Sequence, residues 1–315
     1  MGIPQQHRSL LSTDDLTDAD LRAVVNRGVE HSTGGSGGTR TLAGDLVGVY
    51  FRMTSTRTRT AFSAGALRLG AQIIAYGPDD LQINTGESSE DTGRVFGRML
   101  DVMVARTGLP QQELAGWADP DRLCVVNAMT VEEHPTQALT DLTTLKARFG
   151  RIEDLRVVYV GEGNNTAAAL ALTLPRFPGV RFELRTPPGY GLTDDIRERA
   201  EEHARRSGAS IVERHDMDAL PHDTDVWYTT RWQTTGTSKP DPGWRDVFAP
   251  FQVTRRLWEH SPRAVFMHDL PAHRGDEVTA EVLDGRMSIA MDQAENKMHS
   301  AMAVLEWCRG AEPTA

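Results

Sequence analysis

The chain has 315 residues, enough for two domains at roughly 100–200 residues each. Hydrophobic residues make up 39% and charged residues 25%, a balance that can bury a core and excludes wholesale disorder. With 34 basic and 44 acidic residues the net charge is −10, a poor match for nucleic acid or an anionic membrane, both of which need clustered Lys and Arg.

The N-terminal stretch MGIPQQHRSLL lacks the apolar core of a signal peptide, and no apolar run approaches the ~20 residues of a membrane span, so a cytoplasmic protein is expected. Ser12-Thr13-Asp14-Asp15 reads as an N-cap cluster opening a helix over LTDADLRAVVNRGVE. Gly34-Gly35-Ser36-Gly37-Gly38 reads as a turn or linker. Strands are predicted at 46–51, 71–76, 101–105 and 123–127. Helices are predicted from Arg57 to Gly70 and over 89–100. The amphipathic run 136–149 ends at Gly150, a natural helix stop. The alternation then restarts, with strands at 155–160, 180–184, 210–213, 225–229 and 263–268 and a helix over TAAALALTLPRF. A last helix, Gln293–Arg309, follows and could pack back on the first half. Strands alternating with helices imply α/β architecture: two doubly wound parallel-sheet domains linked by helices, divided as 1–135, 136–292 and the closing segment 293–315.

Polar residues gather where strands end, the place where open α/β sheets bind ligands. Ser55-Thr56-Arg57-Thr58-Arg59 begins a helix, so its hydroxyls, guanidiniums and free N–H groups fit an anion. A capped helix with solvated arginines fits the same residues. Arg106 follows one strand, and His134 and Gln137 follow another. In the second half Gly161-Glu162-Gly163-Asn164-Asn165 resembles a dinucleotide loop only superficially. The third glycine is missing, and Arg185 sits where an acidic residue would end the next strand. His268, Asp269 and His273 crowd the last strand end without any fixed zinc-ligand spacing, and no metal or other cofactor is expected. Cys124 and Cys308 provide neither a disulfide framework nor a thiolate cluster. Lysine occurs only at Lys146, Lys239 and Lys297, a skew expected of a GC-rich genome.

The ordered set Ser55–Arg59, Arg106, His134–Gln137, the GEGNN loop and His268-Asp269-Leu270-Pro271-Ala272-His273-Arg274-Gly275 resembles the aspartate/ornithine carbamoyltransferase family. Leu81-Gln82, Gly86–Thr92 and Gln293–His299 are similar to its ornithine branch, and the resemblance runs from about residue 40 to 305. It implies transfer of the carbamoyl group of carbamoyl phosphate to an amine, with release of phosphate. It also implies that Ser55, Thr56, Arg57 and Thr58 cradle the phosphate, and that Arg106 bridges phosphate and carbonyl. His134 and Gln137 then meet the carbamoyl group, with Leu270 and Arg274 adding further contacts. Arg106, His134, Asp269 and Arg274 are the expected catalytic set. Asn165, Thr230, Trp232 and Asp269 are expected to bind the acceptor. Gln82 lies on a loop that in the family reaches a neighbouring subunit, implying a homotrimer with shared sites.

The departures from the family pattern fall on the acceptor side. Ornithine carbamoyltransferases carry His-Cys-Leu-Pro, where this chain has Asp269 in place of the cysteine. They carry Asp-x-Trp-x-Ser-Met-Gly, where this chain has Thr230-Arg231-Trp232-Gln233-Thr234-Thr235-Gly236. The aspartate that meets an α-ammonium is thus Thr230. These changes predict an acceptor other than free ornithine: a diamine, or an acylated or peptidyl diamino acid such as diaminopropionate. By analogy with pathways of GC-rich actinobacteria, they suggest ureido formation in antibiotic biosynthesis. Plain citrulline formation, and a binding homologue without catalysis, are the competing expectations.

Overall fold

The computed structural model describes residues 8–34, 40–234 and 237–310. Most of the glycine run after Gly34, together with Thr235 and Gly236, lies outside the described residues. The chain parts into two compact units. The first holds the described residues up to Arg148 and those from Glu295 on; the second is Phe149–Ala294.

In the first unit, helix α1 (Asp18–Ser32) is followed by strand β1 (Leu46–Phe51), α2 (Arg57–Arg68), β2 (Gln72–Tyr76), α3 (Ser89–Phe96) and β3 (Val102–Arg106). Then come α4 (Gln111–Ala115), β4 (Cys124–Met129) and α5 (Pro135–Phe149). The four strands form one parallel sheet in the order β2-β1-β3-β4. β3 and β4 are buried along their whole length, which is why their sequences are mostly apolar rather than alternating, broken only by Arg106 at the end of β3 and Asn127 within β4. A cluster around Tyr50, Phe96, Met103 and Trp117 fills one side of the sheet.

The predicted first helix is corrected at its start. Ser12 caps only a short turn, Thr13–Asp15, and α1 begins afresh at Asp18 behind the cap Thr17. The buried Glu133 carboxylate is the cause. It accepts from the Ser12 hydroxyl and from the Thr13 N–H and hydroxyl, so that turn is fixed by a partner 120 residues away.

The second unit runs β5 (Arg156–Val160), α6 (Asn165–Thr173), β6 (Arg181–Arg185), α7 (Asp194–Ser207), β7 (Ser210–Arg214), β8 (Val226–Thr229), α8 (Trp244–Phe248), β9 (Val265–His268) and α9 (Ala280–Leu283). Its five parallel strands are ordered β7-β6-β5-β8-β9. The final helix α10 (Ala290–Cys308) begins in this unit and continues into the first. Both sheets are therefore parallel α/β sheets, as expected.

In each sheet the strand order reverses once, between β1 and β3 in the first and between β5 and β8 in the second. Such a reversal opens a crevice at the carboxyl ends of the strands, because successive connections leave in opposite directions. Ser55 and Thr56 lie on the turn between β1 and α2, with Arg57 and Thr58 opening the helix, and Arg106 ends β3; the turns after β5 and β8 carry the GEGNN loop and Thr230.

Candidate active site

In the first unit, α2 starts at Arg57, and its N-cap Thr56 makes no side-chain cap bond. The helix entry is therefore not closed by the Thr56 hydroxyl, and the N-terminal end of a helix favours an anion. Thr58 is buried, Ser55 and Arg57 are partly buried, and Thr56 is exposed. Arg106 sits opposite Phe51 in the β1–β3 register, and its carbonyl accepts from Arg52 N–H at 3.0 Å. That pairing sets the arginine beside the turn leading to α2.

His134 is 5% exposed at the entry to α5. Burial, with the positive charges of Lys297 and Arg106, holds its imidazole well below the ordinary 6.5, so it is neutral at pH 7. Its Nδ1 lies 3.3 Å from the Thr136 hydroxyl. Gln137 is held at both ends of its amide: Nε2 donates to Asp141 at 2.8 Å, and Oε1 accepts from the Lys297 ammonium. Thr58, Thr136, Thr140 and Lys297 line one void of about 10 Å³, which brings the entries of α2 and α5 together. Lys297 is the residue that sequence reading missed. The structure buries it to 6% exposure, and the only signal in the sequence was the scarcity of lysine, one of three in the chain. Gln82 is exposed and accepts from the Thr85 hydroxyl within its own turn.

The second unit centres on Asp269, directly after β9. Its carboxylate accepts from the Thr166 hydroxyl at 3.0 Å and the Thr230 hydroxyl at 2.8 Å. Thus the first turn of α6, the end of β8 and the end of β9 converge on one carboxylate. His268 is fully buried, with Nδ1 3.4 Å from Asp269 and Nε2 3.2 Å from Glu277. Burial lowers its pKa, but the two carboxylates outweigh this and the net direction is up. The Leu270 N–H donates to Nδ1 at 2.8 Å. The neutral ring therefore carries its proton on Nε2, facing Glu277. Asn164 caps α6 through the N–H groups of Thr166 and Ala167 and donates to Thr234 at 3.1 Å, while Asn165 is buried beside it. Trp232 is 5% exposed and packs on Trp244 and Phe248. Arg274 is directed elsewhere: its guanidinium grips Asp284 through two bonds of 2.9 and 2.6 Å and is about half exposed. His273 faces Asp276 at 3.9 Å.

Residues 8–147 match the aspartate/ornithine carbamoyltransferase carbamoyl-P binding domain, and residues 153–308 match the Asp/Orn binding domain of the same family. The chain belongs to the aspartate/ornithine carbamoyltransferase family. It is 35% identical over 306 residues to the ornithine carbamoyltransferase of Gloeobacter violaceus, covering 97% of this chain and 96% of that one. It is 36% identical to that of Synechococcus elongatus, over 96% and 98%. Among solved structures, the ornithine carbamoyltransferase from Pyrococcus furiosus superposes with a TM-score of 0.91 at 34% identity. That match covers 99% of this chain and 100% of the other. The Gloeobacter violaceus structure gives 0.85 at 33%, over 97% and 100%. The protein is therefore a carbamoyltransferase using carbamoyl phosphate. Among its described residues, no helix is long and apolar enough to cross a membrane.

Proposed function

We propose that this enzyme carbamoylates an amine other than free ornithine, forming a ureido product and phosphate. The observation that carries this reading is the Asp269 carboxylate held by Thr166 and Thr230, with an uncharged hydroxyl at position 230. A carboxylate that is mostly covered favours a cationic partner, and an amine nucleophile supplies one. Thr230 offers an α-ammonium a hydroxyl in place of a carboxylate, which favours an acceptor whose α-amino group is blocked or absent. An acylated or peptidyl diamino acid, or a diamine, meets both conditions. Ureido formation in an antibiotic pathway, in the cytoplasm, is the setting this reading favours.

In the reaction the deprotonated amine attacks the carbamoyl carbon, the bond from that carbon to the phosphate oxygen breaks, and phosphate leaves with the electron pair. The acceptor ammonium first gives up one proton to bulk water, and Asp269 orients the resulting amine and takes the second N–H proton as the carbon–nitrogen bond forms. Arg106 and the neutral His134 imidazole donate toward the carbonyl oxygen as negative charge grows there, the step at which preorganised donors matter most. Ser55, Thr56, Arg57, Thr58 and the α2 N-terminus balance the phosphate charge. Gln137, through Lys297, fixes the floor of this pocket. By family resemblance Leu270 and Arg274 complete the contacts, Arg274 after exchanging Asp284 for substrate, and Asn165 and Trp232 bound the acceptor.

Leu67, Ile74, Val95 and Met99, all on the first unit, are exposed apolar side chains, and β2 is an uncovered edge strand. These features support a homotrimer in which Gln82 serves a neighbour's site. The competing reading, citrulline formation, draws on the names of the relatives at about 35% identity. The deciding experiment is a colorimetric ureido assay with carbamoyl phosphate against ornithine, 2,3-diaminopropionate, simple diamines and N-acylated forms. Ornithine giving the highest kcat/KM would overturn the proposal.

A further inference from the structure

The second unit contains a buried ion pair that the reaction chemistry leaves unused. Lys239 carries its ammonium 2.5 Å from Glu162 Oε1, with its side chain 3% exposed. Three aromatic rings surround that ammonium: Tyr190 at 4.5 Å, Phe248 at 4.7 Å and Trp244 at 5.5 Å from the ring centroids. The rings brace one another, Tyr190 on Phe248 at 4.8 Å and Trp244 on Phe248 at 5.3 Å. Trp232 packs on the same Phe248 at 5.6 Å. A cation facing several ring faces is held by their quadrupoles, and the hold strengthens when water is excluded.

The cage is tied to the turn that opens α6. Glu162 belongs to the loop between β5 and α6, and Gly163 N–H donates to the Tyr190 carbonyl at 2.7 Å. A Cβ on Gly163 would lie 2.3 Å from the Gly191 carbonyl carbon, so glycine is what allows this approach. The Tyr159 hydroxyl donates to the Glu162 carbonyl at 2.5 Å. Asn164, two residues on, bonds Thr234. The chain after Thr230 is thus fastened at Thr234 by Asn164 and at Lys239 by Glu162 and the cage.

We propose that Lys239 is a positioning residue for the amine acceptor: seated in its cage, it fixes the Trp232-bearing segment over the β5–α6 turn. This rests on the reading that the second unit binds the acceptor, whichever amine that is. A segment pinned in advance removes an ordering cost that binding would otherwise bear. The acceptor KM, rather than the carbamoyl-phosphate KM, should therefore carry the effect.

Lys239→Met keeps the apolar stem and removes the charge. The acceptor is the amine the wild type turns over best among ornithine, 2,3-diaminopropionate and their N-acetyl forms. Its KM should rise up to about 30-fold, the equivalent of ~2 kcal/mol for a desolvated cation–π contact at 1.4 kcal/mol per factor of ten. The KM for carbamoyl phosphate should stay within about two-fold. In Lys239→Ala, tetramethylammonium should restore part of the acceptor affinity, since it suits an aromatic cage and has no N–H to be carbamoylated. An unchanged acceptor KM overturns the proposal. So does a lowered one, which would make Lys239 a competitor for an acceptor subsite. An equal rise in both KM values without rescue overturns it too, marking a merely structural contact. Should the wild type carbamoylate no amine, the functional reading fails on its own. Tryptic cleavage after Arg231 then still tests the pinning: cleavage no faster in Lys239→Met than in wild type overturns it.

Discussion

Asp269→Asn keeps the side-chain shape and removes one negative charge from the point where α6, β8 and β9 converge. The carboxylate is only 14% exposed and accepts two threonine hydroxyls at 3.0 and 2.8 Å. Those hydroxyls can rotate to suit the amide, so internal hydrogen bonding changes by only ~1 kcal/mol. The charge matters more toward the substrate. An ammonium ~3 Å away at an effective dielectric of about 20 gains ~5 kcal/mol, of which desolvation takes back part, leaving ~2–3 kcal/mol. The acceptor kcat/KM should therefore fall roughly 30- to 150-fold, at 1.4 kcal/mol per factor of ten. The assay varies the acceptor at saturating carbamoyl phosphate and then reverses the roles, with melting temperature measured in parallel. A lowered melting temperature and a weakened carbamoyl-phosphate KM, with acceptor kinetics untouched, would refute the reasoning and assign Asp269 to the architecture. The combined Thr230→Asp and Asp269→Cys variant restores the ornithine-type pair of residues and should shift preference toward ornithine more than either change alone.

Arg57→Ala should raise the carbamoyl-phosphate KM by about two orders of magnitude, whereas thermal stabilisation of the wild type by carbamoyl phosphate should persist in EDTA. Glu306→Gln should lower the melting temperature by roughly 5–10 °C, because it breaks a buried pair. Glu306 accepts from Arg27 at 2.7 Å, His31 at 2.9 Å and Thr41 at 2.9 Å. Burial pushes the Glu306 pKa up, but His31 and Arg27 outweigh it and bring it to about 2. A depressed carboxylate contributes stability above its unfolded pKa, so this contribution is lost as pH falls from about 4.5 toward 2, measured by chemical denaturation across pH. His134 is also depressed, so the unfolded chain binds more protons than the native one just below pH 6.5. Native stability should fall as pH drops through that window, and His134→Gln should flatten the slope. An Arg57→Ala chain mixed with a Gln82→Ala chain should regain activity if sites are shared, and a monomer by light scattering would exclude it.

Among the described residues, strands such as β3, β4, β8 and β9 were legible because parallel strands covered on both faces are written as short, mostly apolar runs. The exposed edge strands β2 and β7 were legible from their β-branched residues, as in Ile73-Ile74 and Ile211-Val212. The helix α7 was not, since DDIRERAEEHARRS buries only Ile196, Ala200 and Ala204 and leaves too narrow a stripe to read. The start of α1 was misplaced because the Ser12 cap serves a turn held by Glu133, a long-range partner invisible to local pattern. Among site residues, sequence located the strand ends but not what each side chain holds. Gln137 is bound by a lysine 160 positions away, and Asp269 by a threonine 103 positions away. Arg274 bonds Asp284, which motif spacing does not reveal.

The scarcity of lysine has a spectroscopic consequence. Of the three lysines, Lys297 lies buried beside Gln137 in the first unit and Lys239 lies in the aromatic cage of the second. Selective ¹⁵N-lysine labelling should give at most three side-chain resonances. Buried ammonium protons are shielded from exchange with water, and ring currents should displace the Lys239 signal from the others. Each unit thus carries its own built-in reporter. Titration with carbamoyl phosphate should move the Lys297 resonance and titration with an amine the Lys239 resonance, with no probe added to the protein.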